Sequence, residues 1–285
     1  MSIQERALLV TLNISTWTAN KLDRQKTNSI LAQAGADVRA GKFHKNLMSG
    51  TKLAKDINDY AAKCRLWNTQ QTLPWENGKR LIASSQFLDY KQELNEKRRT
   101  FWGKVSTLES EFDEGKEVAR IHLGSLFNED DYPSVEEVVS KYAFDWKPGA
   151  LPESGHLCVD IPAEDLEEAR KEISGDADAR IKDAMGEAWK RLHTMCTDIS
   201  KKLTKLDDED AENKKRWHGS FVTNPIELCH LMSHLNITND PELEAARRKL
   251  ENTMANADIE VIKESPAVRE ALKKDVDSII NEFEW

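Results

Sequence analysis

The sequence predicts a mainly α-helical protein of the α+β class, in which long antiparallel helical hairpins or coiled-coil arms accompany a small antiparallel β-sheet. Apolar residues recur three and four positions apart through the middle and the last third of the chain, as they do along packed helices. Shorter stretches instead alternate between apolar and polar side chains, which indicates strands with one buried face. Charged residues make up 32% of the 285 positions, with only 12 Gly and 8 Pro, so long solvent-facing helices are favoured over loop-rich folds.

The first predicted element is a strand over residues 7–16, where Val10, Leu12 and Ile14 alternate with polar neighbours. Such alternation places every second side chain on one face, and we expect that face to be buried. A helix is predicted next, over residues 17–34.

Two long helices are then predicted to form an antiparallel hairpin, the first over about residues 46–68 and the second over about residues 85–120. Each carries an apolar seam of the kind that packs against another helix. Between them Pro74 removes a backbone donor and Asn77 with Gly78 favours a turn, so we expect a loop there. The seam residues are Leu53, Ile57, Tyr60, Cys64 and Trp67 in the first helix, and Phe101, Val105, Leu108 and Phe112 in the second.

The middle of the chain combines a capped helix with two strands. Ser134 and Glu137 have the spacing of a capping box, which predicts that a short helix begins after the loop at residues 128–133. Alternation over residues 142–146 and again over residues 156–161 predicts two short strands. We expect both strands to pair with the first strand of the chain in the small sheet.

The longest helix is predicted over residues 162–206, a length of roughly 65 Å at about 1.5 Å per residue. Three more helices are expected after Asn224, Asp240 and Ser265, because each of these N-cap residues is followed by proline. The seam of the longest helix comprises Ile181, Met185, Ala188, Leu192, Cys196, Ile199, Leu203 and Leu206. The last helix is expected to bury Val268, Leu272, Ile279 and Phe283.

These elements suggest two domains. Residues 1–162 would hold the first strand, the helical hairpin and the small sheet, and residues 163–285 would hold the long helix followed by a C-terminal helical bundle. At roughly 100–200 residues per domain, the length of the chain fits this division.

Several classes of protein are excluded or disfavoured. No stretch approaches the roughly 18 consecutive apolar residues of a membrane-spanning helix. The apolar run at residues 7–10 is too short for a signal peptide, so we expect a cytoplasmic protein. In a reducing compartment the scattered Cys64, Cys158, Cys196 and Cys229 are expected to be free thiols.

Motifs for enzymatic chemistry are lacking in the sequence. No P-loop, no dinucleotide-binding glycine pattern and no serine nucleophile elbow occurs. We therefore assign no catalytic residue, expect no cofactor, and consider an enzyme less probable than a binding protein.

A metal-binding site is the only site of chemical function that the residue types and their spacing suggest. His193 and Cys196 are three residues apart, and His230 and His234 are four apart, so each pair shares a helix face, with Cys229 adjacent. Zinc would need three or four such ligands to converge. The alternative is that the cysteines are core residues and that the histidines lie on solvated helix faces.

The charge distribution suggests a second alternative function. Residues 1–104 carry 18 Lys and Arg against 9 Asp and Glu, a charge of +9, whereas the whole chain carries −9. This asymmetry fits a basic face for nucleic acid, an acidic partner, or self-association of unlike ends, although chance segregation onto solvated helices explains it equally well. The credible nucleic-acid-binding residues are Lys79, Arg80, Lys97, Arg98 and Arg99.

Three strings of the sequence resemble a family of uncharacterised proteins from tailed bacteriophages and related mobile elements. These strings are residues 12–17 (LNISTW), 72–80 (TLPWENGKR) and 123–133 (LGSLFNEDDYP), and the resemblance spans about residues 8–175. The resemblance implies a phage-encoded protein that acts in the cytoplasm of the bacterial host. Some relatives lie beside genes for MoxR-type AAA+ ATPases, which suggests such an ATPase as a partner. The family implies no established activity and no catalytic residues.

The sequence therefore favours a non-enzymatic interaction or assembly protein, acting through self-association or through a protein partner such as an AAA+ ATPase or a host-defence component. Homo-oligomers are expected, because long apolar seams suit helix–helix association. The best contact surface is the predicted loop with Leu73, Pro74, Trp75, Gly78 and Arg80, although Trp75 could equally fold back onto the hairpin.

Overall fold

The computed structural model of the chain describes residues 3–152, 163–208, 217–283 and 285. It is mainly helical with a small antiparallel sheet, so the predicted fold class is confirmed. None of the helices in the described ranges combines the length and the apolar character needed to cross a bilayer.

The helices have the following bounds: α1 (Ile3–Arg6), α2 (Arg24–Gln33), α3 (Leu53–Gln71), α4 (Phe87–Ser110), α5 (Phe112–Leu123), α6 (Val135–Val139), α7 (Ala163–Asp208), α8 (Ser220–Leu235), α9 (Pro241–Ala255), α10 (Ile259–Glu264) and α11 (Pro266–Glu282). The strands are β1 (Ala7–Ser15), β2 (Asn20–Leu22), β3 (His44–Asn46), β4 (Leu73–Pro74), β5 (Lys79–Ala83) and β6 (Ala143–Gly149).

The chain divides into two compact units that interleave in sequence. The terminal unit comprises Met1–Thr11, Thr69–Asp89 and Pro148–Trp285. The central unit comprises Leu12–Asn68 and Tyr90–Lys147. The boundary predicted after residue 162 lies inside the last segment of the terminal unit, because this unit collects segments that are distant in sequence.

The small sheet has the strand order β4-β5-β1-β6. Ala7 pairs with Ala83 and Thr11 with Lys79 in the antiparallel β1–β5 ladder. The predicted strand over residues 7–16 is confirmed, and β6 overlaps the strand predicted over residues 142–146 but begins one residue later and continues to Gly149. The strand predicted over residues 156–161 lies outside the described residues.

A β-hairpin stands where the sequence analysis expected only a loop. Strand β5 contains the buried run of Leu81, Ile82 and Ala83, and an apolar run of this kind favours a strand in a packed sheet. The predicted turn is confirmed. Asn77 and Gly78 have positive φ values of 50° and 77°, as in the type I′ turns that commonly join the two strands of a hairpin.

The central unit contains the predicted pair of long helices. In the seam of α3 Ile57 and Cys64 are buried, and in the second helix all four predicted seam residues are buried. The second helix is not continuous, however, because the backbone leaves helical geometry at Glu111, between α4 and α5. Helix α5 packs closely on its neighbours: a Cβ at Gly115 would lie 3.0 Å from Cδ1 of Leu53.

The helix predicted over residues 17–34 is shorter than expected, since only α2 is helical there. The Asp23 side chain accepts a 2.8 Å hydrogen bond from the Lys26 N–H and caps the start of α2. Upstream, Ala19 has a φ of 55°, which a helix does not allow, and β2 pairs with β3 instead. The capping box of Ser134 and Glu137 at the start of α6 is confirmed.

The terminal unit is built around the 46-residue α7, whose predicted seam is buried from Ile181 to Leu203. Asp240 and Ser265 cap α9 and α11 as predicted, with proline at the first helical position. The helix start predicted at Asn224 is wrong, because α8 begins at Ser220. The earlier start places Phe221 in the core, where its burial offsets the hydrogen bond that Pro225 removes.

The predicted buried face of α11 needs one correction. Leu272 and Ile279 are buried as expected and Phe283 is partly buried against the core, but Val268 is 37% exposed. Val276 is fully buried and shares this face with Leu272 and Ile279.

Candidate interaction surface

The β4–β5 hairpin, which contains the predicted contact residues, is anchored at its base. Leu73 is fully buried in the core of the terminal unit, so it is not accessible to a partner. Trp75 is partly buried and packs against the same core. The Arg180 guanidinium on α7 lies 6.0 Å from the centre of the Trp75 ring and forms an ion pair with Glu76. These contacts fix the direction in which the hairpin leaves the core.

Arg80 belongs to the structural base of the hairpin as well. Its Nε donates a 2.6 Å hydrogen bond to Oγ1 of Thr72, and Nη2 donates to the carbonyls of Thr69 and Thr72 at 3.2 and 3.0 Å. These carbonyls lie at the C-terminal end of α3, where a helix has no intrahelical donors for its last carbonyls. Arg80 therefore caps a helix end, a role in which its cation also suits the negative end of the helix dipole.

A second arginine binds the same helix end. Arg191 on α7 donates to the carbonyls of Thr69, Gln70 and Thr72 at distances between 2.9 and 3.0 Å. Its Nε also pairs with Glu187 at 3.3 Å. Two guanidinium groups thus share the carbonyls at the end of α3, and sequence reasoning missed both of these roles.

The tip of the hairpin, residues 75–79, is the accessible part. Asn77, Gly78 and Lys79 are exposed, and a Cβ placed at Gly78 would meet no atom within 4 Å. The turn is closed by a 2.9 Å hydrogen bond that the Lys79 N–H donates to the Glu76 carbonyl. The tip is therefore a preformed polar turn on a rigid base, which suits contact with another molecule more than chemistry.

The Trp75 ring sits between these two parts of the hairpin. Its indole N–H is buried, and no described residue accepts a hydrogen bond from it. The ring packs against the core, as in the alternative prediction that Trp75 folds back. Part of its surface is still accessible.

The predicted basic residues do not form one cluster. Lys79 and Arg80 belong to the terminal unit, whereas Lys97, Arg98 and Arg99 lie on α4 in the central unit. Lys97 pairs with a neighbouring carboxylate at 2.9 Å and covers an indole ring at 4.6 Å. The central unit carries 19 Lys and Arg against 17 Asp and Glu, a net charge of only +2. The acidic residues that follow α4 in sequence thus offset the basic stretch within the same unit.

The predicted metal ligands are not brought together in the described part of the chain. Cys196 and Cys229 are fully buried, and this burial raises the pKa of each thiol to about 12, so neither is a ready thiolate ligand. The His193 ring lies 4.9 Å from the ring centre of Trp285 at an interplanar angle of 37°, while His230 and His234 are exposed. Among the described residues, no group of three or more His, Cys, Asp or Glu side chains could hold a metal ion.

A feature of the central unit that the sequence analysis missed is a buried lysine. Lys45 on β3 is only 6% exposed, and its ammonium group pairs with Asp131 and, at 3.9 Å, with Asp23. It also donates a 2.7 Å hydrogen bond to the carbonyl of Leu126. A buried ammonium needs such partners, because leaving water costs a charged group several kcal/mol.

The segment that follows α5 closes over this lysine. The Tyr132 hydroxyl donates a 2.8 Å hydrogen bond to the carbonyl of Leu47, and burial raises the pKa of Tyr132 to about 12. Asp131, Tyr132 and Leu126 all lie within residues 123–133. In this structure that segment therefore supports β3.

Comparison with protein-family models, with curated proteins and with solved structures finds no significant match to this chain.

Proposed function

We propose that the chain is a non-enzymatic interaction protein, which contacts its partner through the hairpin tip at residues 75–79. The observation that carries this proposal is the contrast within the hairpin: its base is buried and bonded on several sides, while its tip is exposed and already has the geometry of a turn. Loops held by a rigid scaffold are common sites of recognition.

Preorganisation makes the tip suitable for binding. A flexible loop loses conformational entropy when a partner orders it, whereas a loop already held in one conformation avoids most of that cost. The turn has positive φ at Asn77, a residue type that tolerates this conformation, and at Gly78, which has no side chain to clash. The ion pair between Arg180 on α7 and Glu76, the residue before Asn77 and Gly78, also holds the tip in place.

The partner that we propose to test first is a MoxR-type AAA+ ATPase. This choice rests on the resemblance to phage proteins that lie beside such genes, and it places the interaction in the cytoplasm of a bacterial host. A host-defence protein and a second copy of the chain are the other partners that the proposal allows.

The direct test is a titration of the purified chain with the purified ATPase, followed by isothermal calorimetry. Asn77→Asp and Lys79→Glu change exposed groups at the tip and keep residue types that the turn accepts, so both variants should fold normally. We expect each to weaken binding at least about tenfold, since adding a negative charge at residue 77 or reversing the charge at residue 79 disturbs the electrostatic complementarity of the contact. Lys63→Glu makes the same charge change on the exposed face of α3 and should bind like the unmodified chain.

The possible results test the contact surface and the identity of the partner separately. Equal affinities for the tip variants and the unmodified chain would contradict the hairpin tip as the contact. Absence of binding to the ATPase would contradict that partner, and self-association would then be measured by sedimentation velocity over a range of concentrations. A chain that stays monomeric, binds no ATPase and retains no host protein in a pull-down from infected cells would contradict the proposal as a whole.

The nucleic-acid hypothesis has less support. The charge of +9 that motivated it lies wholly in the central unit, where acidic residues later in the sequence reduce it to +2, although Arg98 is exposed on α4. Retention of DNA or RNA on a filter at low salt, lost in a Lys97→Ala, Arg98→Ala, Arg99→Ala variant, would revive it, because phosphate contacts weaken steeply with salt.

A further inference from the structure

We draw no further inference here: the strongest candidate, the polar cavity of about 620 Å3 beside Lys45 at the start of α2, carries nothing because the buried ammonium group is already bonded within the protein and the rest of the cavity is a helix N-terminus and turns that point to no ligand.

Discussion

Arg191 in the terminal unit and Lys45 in the central unit satisfy their charges in different ways. In the terminal unit Arg191 is partly buried and donates mainly to the neutral carbonyls at the end of α3. In the central unit Lys45 is buried against two carboxylates and one carbonyl. The planar guanidinium has five donors and can serve several carbonyls at once, whereas the compact ammonium needs counter-charges when it leaves water. The two sites should therefore respond differently when the cation is removed.

The largest effect is expected for Lys45→Met. This change removes the ammonium and leaves the partly buried Asp131 and Asp23 with only the exposed Lys21, 4.0 Å from Asp131, as a counter-charge, so we expect a loss of about 3–5 kcal/mol in the free energy of unfolding. Urea denaturation followed by circular dichroism measures it. Adding Asp131→Asn to Lys45→Met should recover part of the loss, since one uncompensated charge disappears. A loss below about 1 kcal/mol in the single variant would show that this ion pair does not support the central unit.

Arg191→Ala should be less damaging, because Arg80 still donates to two of the three carbonyls and the carboxylate that loses a partner, Glu187, is partly exposed. Hydrogen bonds to charged groups contribute about 1.5–3 kcal/mol each, and water can replace some of those lost here, so we expect a loss of about 2–4 kcal/mol. Arg191→Lys should recover only part of it, since one ammonium cannot span three carbonyls. Lys190→Ala, one residue away and exposed, should change stability by less than about 0.5 kcal/mol. Full recovery of stability by Arg191→Lys would contradict the proposed difference between the guanidinium and ammonium sites.

Two glycines test whether the hairpin tip is held in its turn geometry. Gly78 has a φ of 77° with open space around it, so Gly78→Ala should cost only backbone strain, about 1 kcal/mol. Gly103 lies inside α4 with equally open space, and Gly103→Ala should instead stabilise the chain by about 0.5–1 kcal/mol. Thermal unfolding of both variants measures whether each substitution lowers or raises the stability of the chain. Stabilisation by both would mean that the tip does not hold the left-handed turn in solution.

Local hydrogen-bonding signals are the part of the fold that the sequence could predict. Asp240, Ser265 and the capping box at Ser134 were predictable because each cap acts on residues two to three positions away. The same signal at Asn224 was misleading, since the start of α8 is decided by packing of Phe221 in the core. Alternation and heptad spacing identified β1 and the helix seams for the same local reason.

The bonded base of the candidate surface could not be predicted, because its partners are far apart in the chain. Arg191 binds carbonyls that lie between 119 and 122 residues earlier, and Lys45 binds the carbonyl of Leu126, which is 81 residues later. No periodicity links such positions. Sequence spacing alone could not show that Arg80 and Asp131 both hold the fold together.

Acid should weaken a second arginine site in the terminal unit. Hydrogen bonds from Arg247 and Arg248 hold the pKa of Glu244 at about 2, below its ordinary value of 4.5. The stabilisation is therefore complete above pH 4.5 and is lost as the pH falls toward 2. Denaturation of the unmodified chain and of Glu244→Gln across this range should give a difference in unfolding free energy that shrinks as the pH falls. Glu227→Gln, at an exposed position on α8, is the control and should show no such trend.

The smallest expected effect comes from polar atoms that each unit buries without a described partner, the Tyr142 hydroxyl and the Trp75 indole N–H. Tyr142 is 4% exposed, and burial raises its pKa above the ordinary value. Tyr142→Phe removes an unbonded hydroxyl and keeps the ring that packs on Phe101, so we expect a stability change between zero and a gain of about 1 kcal/mol. Trp75→Phe also removes an N–H, but it replaces the indole with a smaller ring that fills less of the space against the core. We therefore expect Trp75→Phe to lower the free energy of unfolding. A loss of more than about 1 kcal/mol for Tyr142→Phe would show that a buried water bonds the hydroxyl in solution, since removing a satisfied hydrogen bond costs about that much.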